Sequence, residues 1–314
     1  MCGLAGAFRH QGLDPQDVDR VKQMSRVQQH RGPDDQGLFW DHVCALGHRR
    51  LAIIDLSSAG HQPFASADGR YQLIYNGEIY NYIELRSELQ SRGWEFSTQT
   101  DTEVLLKAYQ AFGIDCLERF NGMFAFVIYD TQKQTLFMAR DRVGIKPLYY
   151  YAAEDAFYFA SEIKALHLVL EQQPRVNYQT LFDYLIFNRT DIYDETFLKD
   201  VKRIPKGCYA IYAQGTLKIE RWWDPDAFRL RCEDTQLDRI SEKIDDLLVS
   251  SVKLRMRSDV PVGSCLSGGL DSSILVGILF DKYNAPSDYP TFTAAFKGHP
   301  IDETRYVDQL NRRY

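Results

Sequence analysis

No run of apolar residues in the 314-residue chain approaches the ~18–20 needed to cross a membrane. The N-terminus lacks a basic segment followed by an apolar one, so a soluble, cytoplasmic protein without a leader is expected. Cationic charge is not in surplus: 37 lysines and arginines face 43 aspartates and glutamates, a formal net charge of -6. A broad phosphate-binding face is therefore not expected, which argues against nucleic acid as a main partner. Cysteines are few and no C-x-x-C pair occurs; Cys2, Cys44, Cys116, Cys208, Cys232 and Cys265 are scattered. That spacing favours reduced cytosolic thiols over a disulfide framework or a zinc site. Cys44, Cys116 and Cys208 read as small buried filler. Internal repeats and low-complexity tracts are missing too.

What is present divides near Trp222-Trp223-Asp224-Pro225-Asp226. Before that point the chain reads as short strands with a few helices. Strands are expected at 71–75, 123–129, 135–139, 157–160 and 208–213, and helices at 82–91 and 102–112. Thr100 and Glu103 fit a capping box for the second helix. Asn76-Gly77 carries a turn signal after the first of these strands. Buried strands flanked by helices suggest a layered sandwich. Past the boundary, an amphipathic helix over 236–254 leads to a strand at 262–266. The turn Ser267-Gly268-Gly269-Leu270-Asp271-Ser272-Ser273 follows, then a helix at 274–280 and a strand at 291–296. That order opens a parallel α/β sheet. One βαβ unit cannot cover both faces of its own sheet, so the second domain is expected to be incomplete in this stretch.

Two constellations carry chemistry. Cys2 directly follows Met1, and cysteine is small enough for an aminopeptidase to remove the methionine. A thiol and a free α-amine would then share one residue, with ordinary pKa values of ~8.5 and ~7.7–8.0. A terminal amine can act as the general base for its own residue's nucleophile. The plain alternative is a chance cysteine in a frayed terminus. Amide hydrolysis by a thiol also needs donors for the developing oxyanion. Asn76 and Gly77 could supply a side-chain amide and a backbone N–H at a tight turn. Arg50 has the planar fork to hold a carboxylate, or is a solvated surface arginine. Asp101 could accept an ammonium, or serve only the dipole of its helix. In the second domain, the Ser267–Ser273 turn sits between strand and helix, where N–H groups and the helix dipole favour an anion. It is not a Walker A loop, for no Lys-Ser/Thr pair closes it. Asp271 would repel phosphate unless a cation such as Mg²⁺ lies between them. The alternative is a glycine-rich turn capped by serines.

Together these stretches resemble the glutamine-hydrolysing asparagine synthetases. The matching segments are Cys2-Gly3-Leu4-Ala5-Gly6, His30-Arg31-Gly32-Pro33-Asp34, Arg50-Leu51-Ala52-Ile53, Tyr75-Asn76-Gly77-Glu78-Ile79-Tyr80-Asn81 and Thr100-Asp101-Thr102-Glu103. Asn121-Gly122-Met123-Phe124-Ala125-Phe126, the 140–149 and 160–165 segments, Ser258-Asp259-Val260-Pro261 and the Ser267–Ser273 turn continue the likeness. It implies an N-terminal-nucleophile αββα sandwich, a class II glutamine amidotransferase domain over 1–215. The start of an α/β parallel-sheet PP-loop synthetase domain would cover 236–314. The nucleophile then falls on Cys2 and the oxyanion donors on Asn76 and the Gly77 N–H. The glutamine carboxylate falls on Arg50 and its α-amine on Glu78 or Asp101, with backbone of Leu51, Ile53 and Ile54 lining the pocket. ATP would be held by Leu266, Ser267, Gly268, Gly269, Asp271, Ser272, Ser273 and Ala294, and Mg²⁺ by Asp271.

The resemblance further implies that aspartate is activated as β-aspartyl-AMP, and that channelled ammonia displaces AMP. Dimers are common in such proteins. The family's later S-G-E-x-x-D-E segment is not in this stretch, so no residue here speaks for aspartate itself. Amidation of another carboxylate, as in cell-envelope or exopolysaccharide pathways, or a stand-alone glutaminase, are the alternatives. Glutamine phosphoribosyl amidotransferases share the first domain's chemistry but lack a Ser-Gly-Gly-x-Asp-Ser turn.

Overall fold

A computed structural model describes every residue except Glu171, Asp191 and residues 229–236. Cys232 and Gln236, the expected first residue of the amphipathic helix, lie outside the described residues. The chain divides into two compact units, Met1–Arg229 and Leu230–Tyr314.

The first unit opens with β1 (Gly3–Phe8), α1 (Asp17–Arg26), β2 (Asp35–Trp40), β3 (Cys44–Arg50), β4 (Phe64–Ala65) and β5 (Tyr71–Ile79). Next come α2 (Tyr82–Ser91), α3 (Asp101–Phe112), α4 (Cys116–Arg119), β6 (Gly122–Asp130), β7 (Thr135–Arg140), β8 (Tyr149–Ala152) and β9 (Phe157–Ala160). It closes with α5 (Ile163–Leu166), α6 (Tyr178–Phe187), β10 (Val201–Arg203), β11 (Cys208–Ala213) and β12 (Thr216–Arg221). Two antiparallel sheets result, in the orders β10-β8-β9-β1-β3-β2 and β12-β11-β7-β6-β5-β4. The last strand, β12, pairs with β11 along its length, from Ala213↔Thr216 to Cys208↔Arg221, and lies past residue 215.

Period-2 alternation sorts the side chains into layers. Leu4, Phe8 and Leu46 of one sheet meet Ile74, Val127 and Tyr129 of the other in the layer between the sheets. Phe157 stacks on Tyr212 across it at 4.2 Å between ring centres. The outer faces are covered by helices. Val21 and Met24 of α1 pack on Ala5 and Ala7, while Leu85 of α2 and Val104 of α3 pack on Leu73 and Phe126. This is the expected αββα sandwich.

One local expectation fails. Asn76-Gly77 is not a turn: β5 runs straight through it, with Asn76 opposite Ala125 and Gly77 opposite Phe124. Glycine is required by close approach, because a Cβ at Gly77 would stand 2.2 Å from the Met123 carbonyl oxygen. The capping box is half formed. Thr100 Oγ1 accepts from Glu103 N at 3.0 Å, but the Glu103 carboxylate reaches past the cap to the N–H groups of Ser97 and Thr98.

The second unit holds α7 (Leu237–Arg255), β13 (Ser264–Cys265), α8 (Leu270–Asp281), β14 (Thr291–Phe292) and α9 (Thr304–Arg313). β13 and β14 pair in parallel, which is the start of an α/β sheet. Both strands are shorter than the pattern suggests. α8 starts earlier than residue 274, at a Gly269 cap whose carbonyl accepts from Ser273 Oγ at 2.7 Å. Among the described residues, no helix is long and apolar enough to cross a membrane.

A buried carboxylate braces α1 against the sheet that carries the N-terminus. Asp17 is fully buried; it accepts from Tyr158 Oη at 2.8 Å, Arg9 Nε at 2.6 Å and Arg20 Nη1 at 2.9 Å. Asp17→Ala leaves Arg9 Nε and the Tyr158 hydroxyl without this acceptor, while Arg9 keeps its pair with Asp155. A loss of about 3 kcal/mol is expected in urea unfolding, the lower end for a broken buried pair because Arg20 keeps solvent access.

Candidate active site

Cys2 sits at the head of β1, and alternation sends its side chain toward the same inner layer as Leu4. Its backbone is clamped on several sides. Arg31 Nε donates to the Cys2 carbonyl at 2.9 Å while Arg31 Nη1 pairs with Glu162 at 3.0 Å. Gln28 Nε2 donates to Leu4 O, and Leu4 N donates to Ser161 Oγ. The sulfur lies against the backbone of Leu51, accepting from its N–H at 3.4 Å. Burial pushes the thiol up, while the Leu51 N–H and the N-terminal ammonium oppose that rise.

The opposite wall is the unfinished edge of β5. β4 pairs only with Leu73 and Gln72, so among the described residues no strand flanks β5 beyond Leu73 on that side. Side chains complete it. Tyr75 N donates to Gln62 Oε1 at 2.7 Å, and Ile79 N donates to Asp101 Oδ2 at 2.9 Å. Alternation turns the N–H of Gly77, midway between them, to the same edge. Asn76 projects from the sheet face instead. It is fully buried, and neither atom of its amide has a hydrogen-bond partner among the described residues.

Arg50 is 6% exposed, which excludes a solvated surface arginine. Its guanidinium donates to Ser57 O at 2.8 Å, to Ile54 O at 3.4 Å and to Asp55 O. The arginine thus shapes the loop that follows it. Asp101, first residue of α3, accepts from Tyr75 Oη at 2.9 Å as well as from Ile79 N, so it does more than serve the helix dipole. Cys2, Arg50, Leu51, Ile53, Ile54, Gly77, Glu78 and Asp101 line one cleft, with Gln62, Tyr75 and Thr102. Of the expected residues of this site only Asn76 is not in the lining.

Two acids close together strain the electrostatics. Burial, then the neighbouring Asp101, raise Glu78 to about 9; burial also raises Asp101, against the Ile79 N–H and the Tyr75 hydroxyl. Lys146 is 5% exposed; burial lowers it, and the nearby Glu78 and Cys2 pull it back up. Sequence reasoning missed Lys146, Gln62 and Arg31. The only signal for Lys146 and Arg31 was their place inside the matching segments, and Gln62 had none.

In the second unit the loop closes on itself. Ser267 Oγ and Ser272 Oγ lie 3.0 Å apart, and Gly269 N donates to Ser267 Oγ at 3.3 Å. Gly268 adopts φ +84°, a conformation glycine takes without strain. Asp271 is exposed in the first turn of α8. Leu266 donates its N–H to Phe292 O and accepts from Thr293 Oγ1, so those backbone groups are engaged between the two strands. The loop and Ala294 follow β13 and β14 respectively, at the carboxyl ends of parallel strands, where open α/β sheets bind ligands.

The family model described as a glutamine amidotransferase domain matches residues 1–223. The chain belongs to that family. The asparagine synthase model matches residues 243–314. Among relatives, asparagine synthetase (glutamine-hydrolyzing) 1 of Bacillus subtilis is 38% identical over 96% of this chain and 47% of its own length. Asparagine synthetase (glutamine-hydrolyzing) 3 of the same organism is 33% identical over 93% and 47%. Amidase chyE of Penicillium rubens is 33% identical over 94% and 47%. The chain thus spans about half the length of these curated relatives. A solved glutamine phosphoribosylpyrophosphate amidotransferase from B. subtilis, complexed with ADP and GMP, aligns with TM-score 0.53 at 20% identity. That alignment covers 96% of this chain and 68% of the other, and it shows the shared fold alone.

The raised Glu78 has a consequence for stability in this amidotransferase domain. Between the ordinary carboxylate range and about 9 the folded state keeps a proton that the unfolded state has lost, so stability falls as pH rises through that window. Glu78→Gln removes the effect. In urea unfolding the variant is expected to be more stable than the parent at about pH 8 and indistinguishable from it at about pH 4.

Proposed function

We propose that the first unit hydrolyses glutamine at Cys2, and that the second begins a nucleotide-dependent ligase which passes the nitrogen to a carboxylate. The observation that carries this reading is the convergence of Cys2, Arg50, Glu78 and Asp101 on one cleft. A thiol, a carboxylate-binding fork and ammonium-binding acids are the groups an amino-acid amide requires. In this reading the Cys2 thiolate attacks the glutamine side-chain carbonyl. The Gly77 N–H and the Asn76 amide stabilise the oxyanion, and ammonia leaves as the thioester forms. Water then releases glutamate. The α-amine exposed when Met1 is removed moves the protons. Arg50 grips the α-carboxylate, and Glu78 and Asp101 the α-ammonium.

The Ser267–Ser273 loop would hold the phosphates of ATP, with Leu266 and Ala294 flanking the base. Asp271 is the loop's one carboxylate, and Mg²⁺ commonly needs only one or two beside nucleotide phosphates and waters. The site therefore fits a magnesium that arrives with the nucleotide. The acceptor carboxylate attacks the α-phosphorus, pyrophosphate leaves, and ammonia then displaces AMP from the acyl carbon. Aspartate is the acceptor favoured here, since the B. subtilis relatives are named asparagine synthetases. Amidase chyE is similar to a like extent without being named for asparagine, so amidation of another carboxylate is kept as the second reading.

Two variants test the proposal. Mass spectrometry is expected to find Met1 removed, and Cys2→Ala to abolish glutamine hydrolysis while leaving the fold intact by circular dichroism. Retained hydrolysis would move the nucleophile elsewhere. In the full-length protein, Asp271→Ala is expected to remove ammonia-dependent pyrophosphate release but leave glutamine hydrolysis unchanged; equal loss of both would sink the separate nucleotide site.

A further inference from the structure

The inner layer behind Cys2 holds more unpaired polar groups than a dry core tolerates. His48 on β3 and Asn76 on β5 are both fully buried. His48 Nδ1, Asn76 Oδ1 and Asn76 Nδ2 have no hydrogen-bond partner among the described residues. Buried polar side chains are nearly always bonded, so each orphan needs an explanation. His48 also reaches the backbone beside Asn76. His48 lies opposite Leu4 on the neighbouring strand, in register with the segment that carries Cys2. Its Nε2 is 3.0 Å from the Tyr75 carbonyl, the peptide group that joins Tyr75 to Asn76.

The chemistry fixes the protons. A carbonyl only accepts, so His48 Nε2 carries the hydrogen and Nδ1 presents a lone pair. Burial lowers this histidine to about 4, which keeps the ring neutral through the physiological range. The layer thus contains an acceptor at Nδ1, a second acceptor at Asn76 Oδ1, and an amide NH₂. One water can donate to both acceptors at once. It would then pin the amide with its oxygen toward His48 and its nitrogen free.

We propose that His48 is a positioning residue for the oxyanion donor, holding the Asn76 amide through one buried water so that Nδ2 faces the Cys2 reaction centre. This rests on the reading of Asn76 as an oxyanion donor. His48 never touches substrate; it decides which end of the amide does.

Two substitutions separate this role from a structural one in the full chain. Gln places an N–H near His48 Nε2, so His48→Gln keeps the bond to Tyr75 O but removes the lone pair at Nδ1. Its melting temperature is expected to stay near that of the parent, with glutamine KM within about twofold. Its kcat should fall about tenfold or more, part of the ~10²–10³ that a whole donor contributes. Asn places a carbonyl near Nδ1, so His48→Asn is expected to regain most of kcat while melting lower. A His48→Gln enzyme with kcat within about twofold of the parent overturns the proposal. Should either variant fail to fold, ¹⁵N spectra of histidine-labelled parent protein decide. A neutral Nε2–H ring with a bonded Nδ1 supports the proposal; an Nδ1–H ring or an imidazolium overturns it. Asn76→Ala keeps the two questions apart. Full activity in that variant removes the oxyanion reading itself, whereas its inactivity beside an unaffected His48→Gln removes only the role of His48.

Discussion

The early end of β4 is the constraint on which the first unit's cleft depends. β4 covers β5 only as far as Leu73, and a strand with an open edge carries unsatisfied N–H and C=O groups. In most sheets that edge would be charged, bulged or covered. Here it is finished atom by atom, by Gln62 at Tyr75 and by Asp101 at Ile79. Alternation turns the Gly77 N–H between them to the same edge. The supports are themselves anchored. Asp101 is fixed by starting α3 behind the Thr100 cap, and Gln62 Nε2 leans on Thr102 Oγ1 of the same helix at 3.4 Å. The N-terminus of one helix therefore sets the edge, the acid and the floor of the cleft together.

The same economy explains why the sequence was readable in parts. Elements held by a strong period were legible almost to the residue: the strands at 157–160 and 208–213 and the helix at 82–91 coincide with β9, β11 and α2. The serine-glycine loop was legible because its interactions are local; Ser267, Gly269, Ser272 and Ser273 bond chiefly to one another. Asn76-Gly77 was misread because the pair makes a turn when nothing else decides, and here the partner strand decides. Gly77 is present for the Met123 carbonyl, a contact no local pattern contains. Gln62 was invisible for the same reason, and Lys146 was marked only by its place in a matching segment: their importance comes from chain segments far from them in sequence. The resemblance located the family's residues but not what holds them.

The cleft also concentrates groups that work against folding. Glu78 and Asp101 are two partly or wholly buried acids whose mutual repulsion and desolvation favour protonation, with the buried Lys146 close to both Glu78 and Cys2. The amino-acid amide proposed for this cleft is a zwitterion, and its ammonium needs acids that no arginine already holds. An acid already locked to an arginine could not take an ammonium, and Arg50, which lines the same cleft, donates to loop carbonyls. Arg31 holds Glu162 instead, on the side of the Cys2 backbone. The charges are sorted: Arg31 and Glu162 beside the Cys2 backbone hold each other, while Glu78 and Asp101 in the cleft repel each other.

Strand geometry then limits where the nucleophile can stand. The N–H of a strand residue lies in the plane of the sheet, while the next residue's side chain stands normal to it. The proposed donors, the Gly77 N–H and the Asn76 amide, therefore point in roughly perpendicular directions from one short stretch of β5. They can meet only at the corner where the open edge of the sheet borders the layer between the sheets. Cys2 is at that corner because β1 lies in the facing sheet, opposite β3, and its first residues reach the end of the layer where Leu51 leaves β3. A turn at Asn76-Gly77 would have aimed the two donors by its own local geometry. A strand that passes straight through cannot, so the convergence proposed for them depends on both sheets being in register, and the chemistry proposed for this cleft is a property of the whole sandwich.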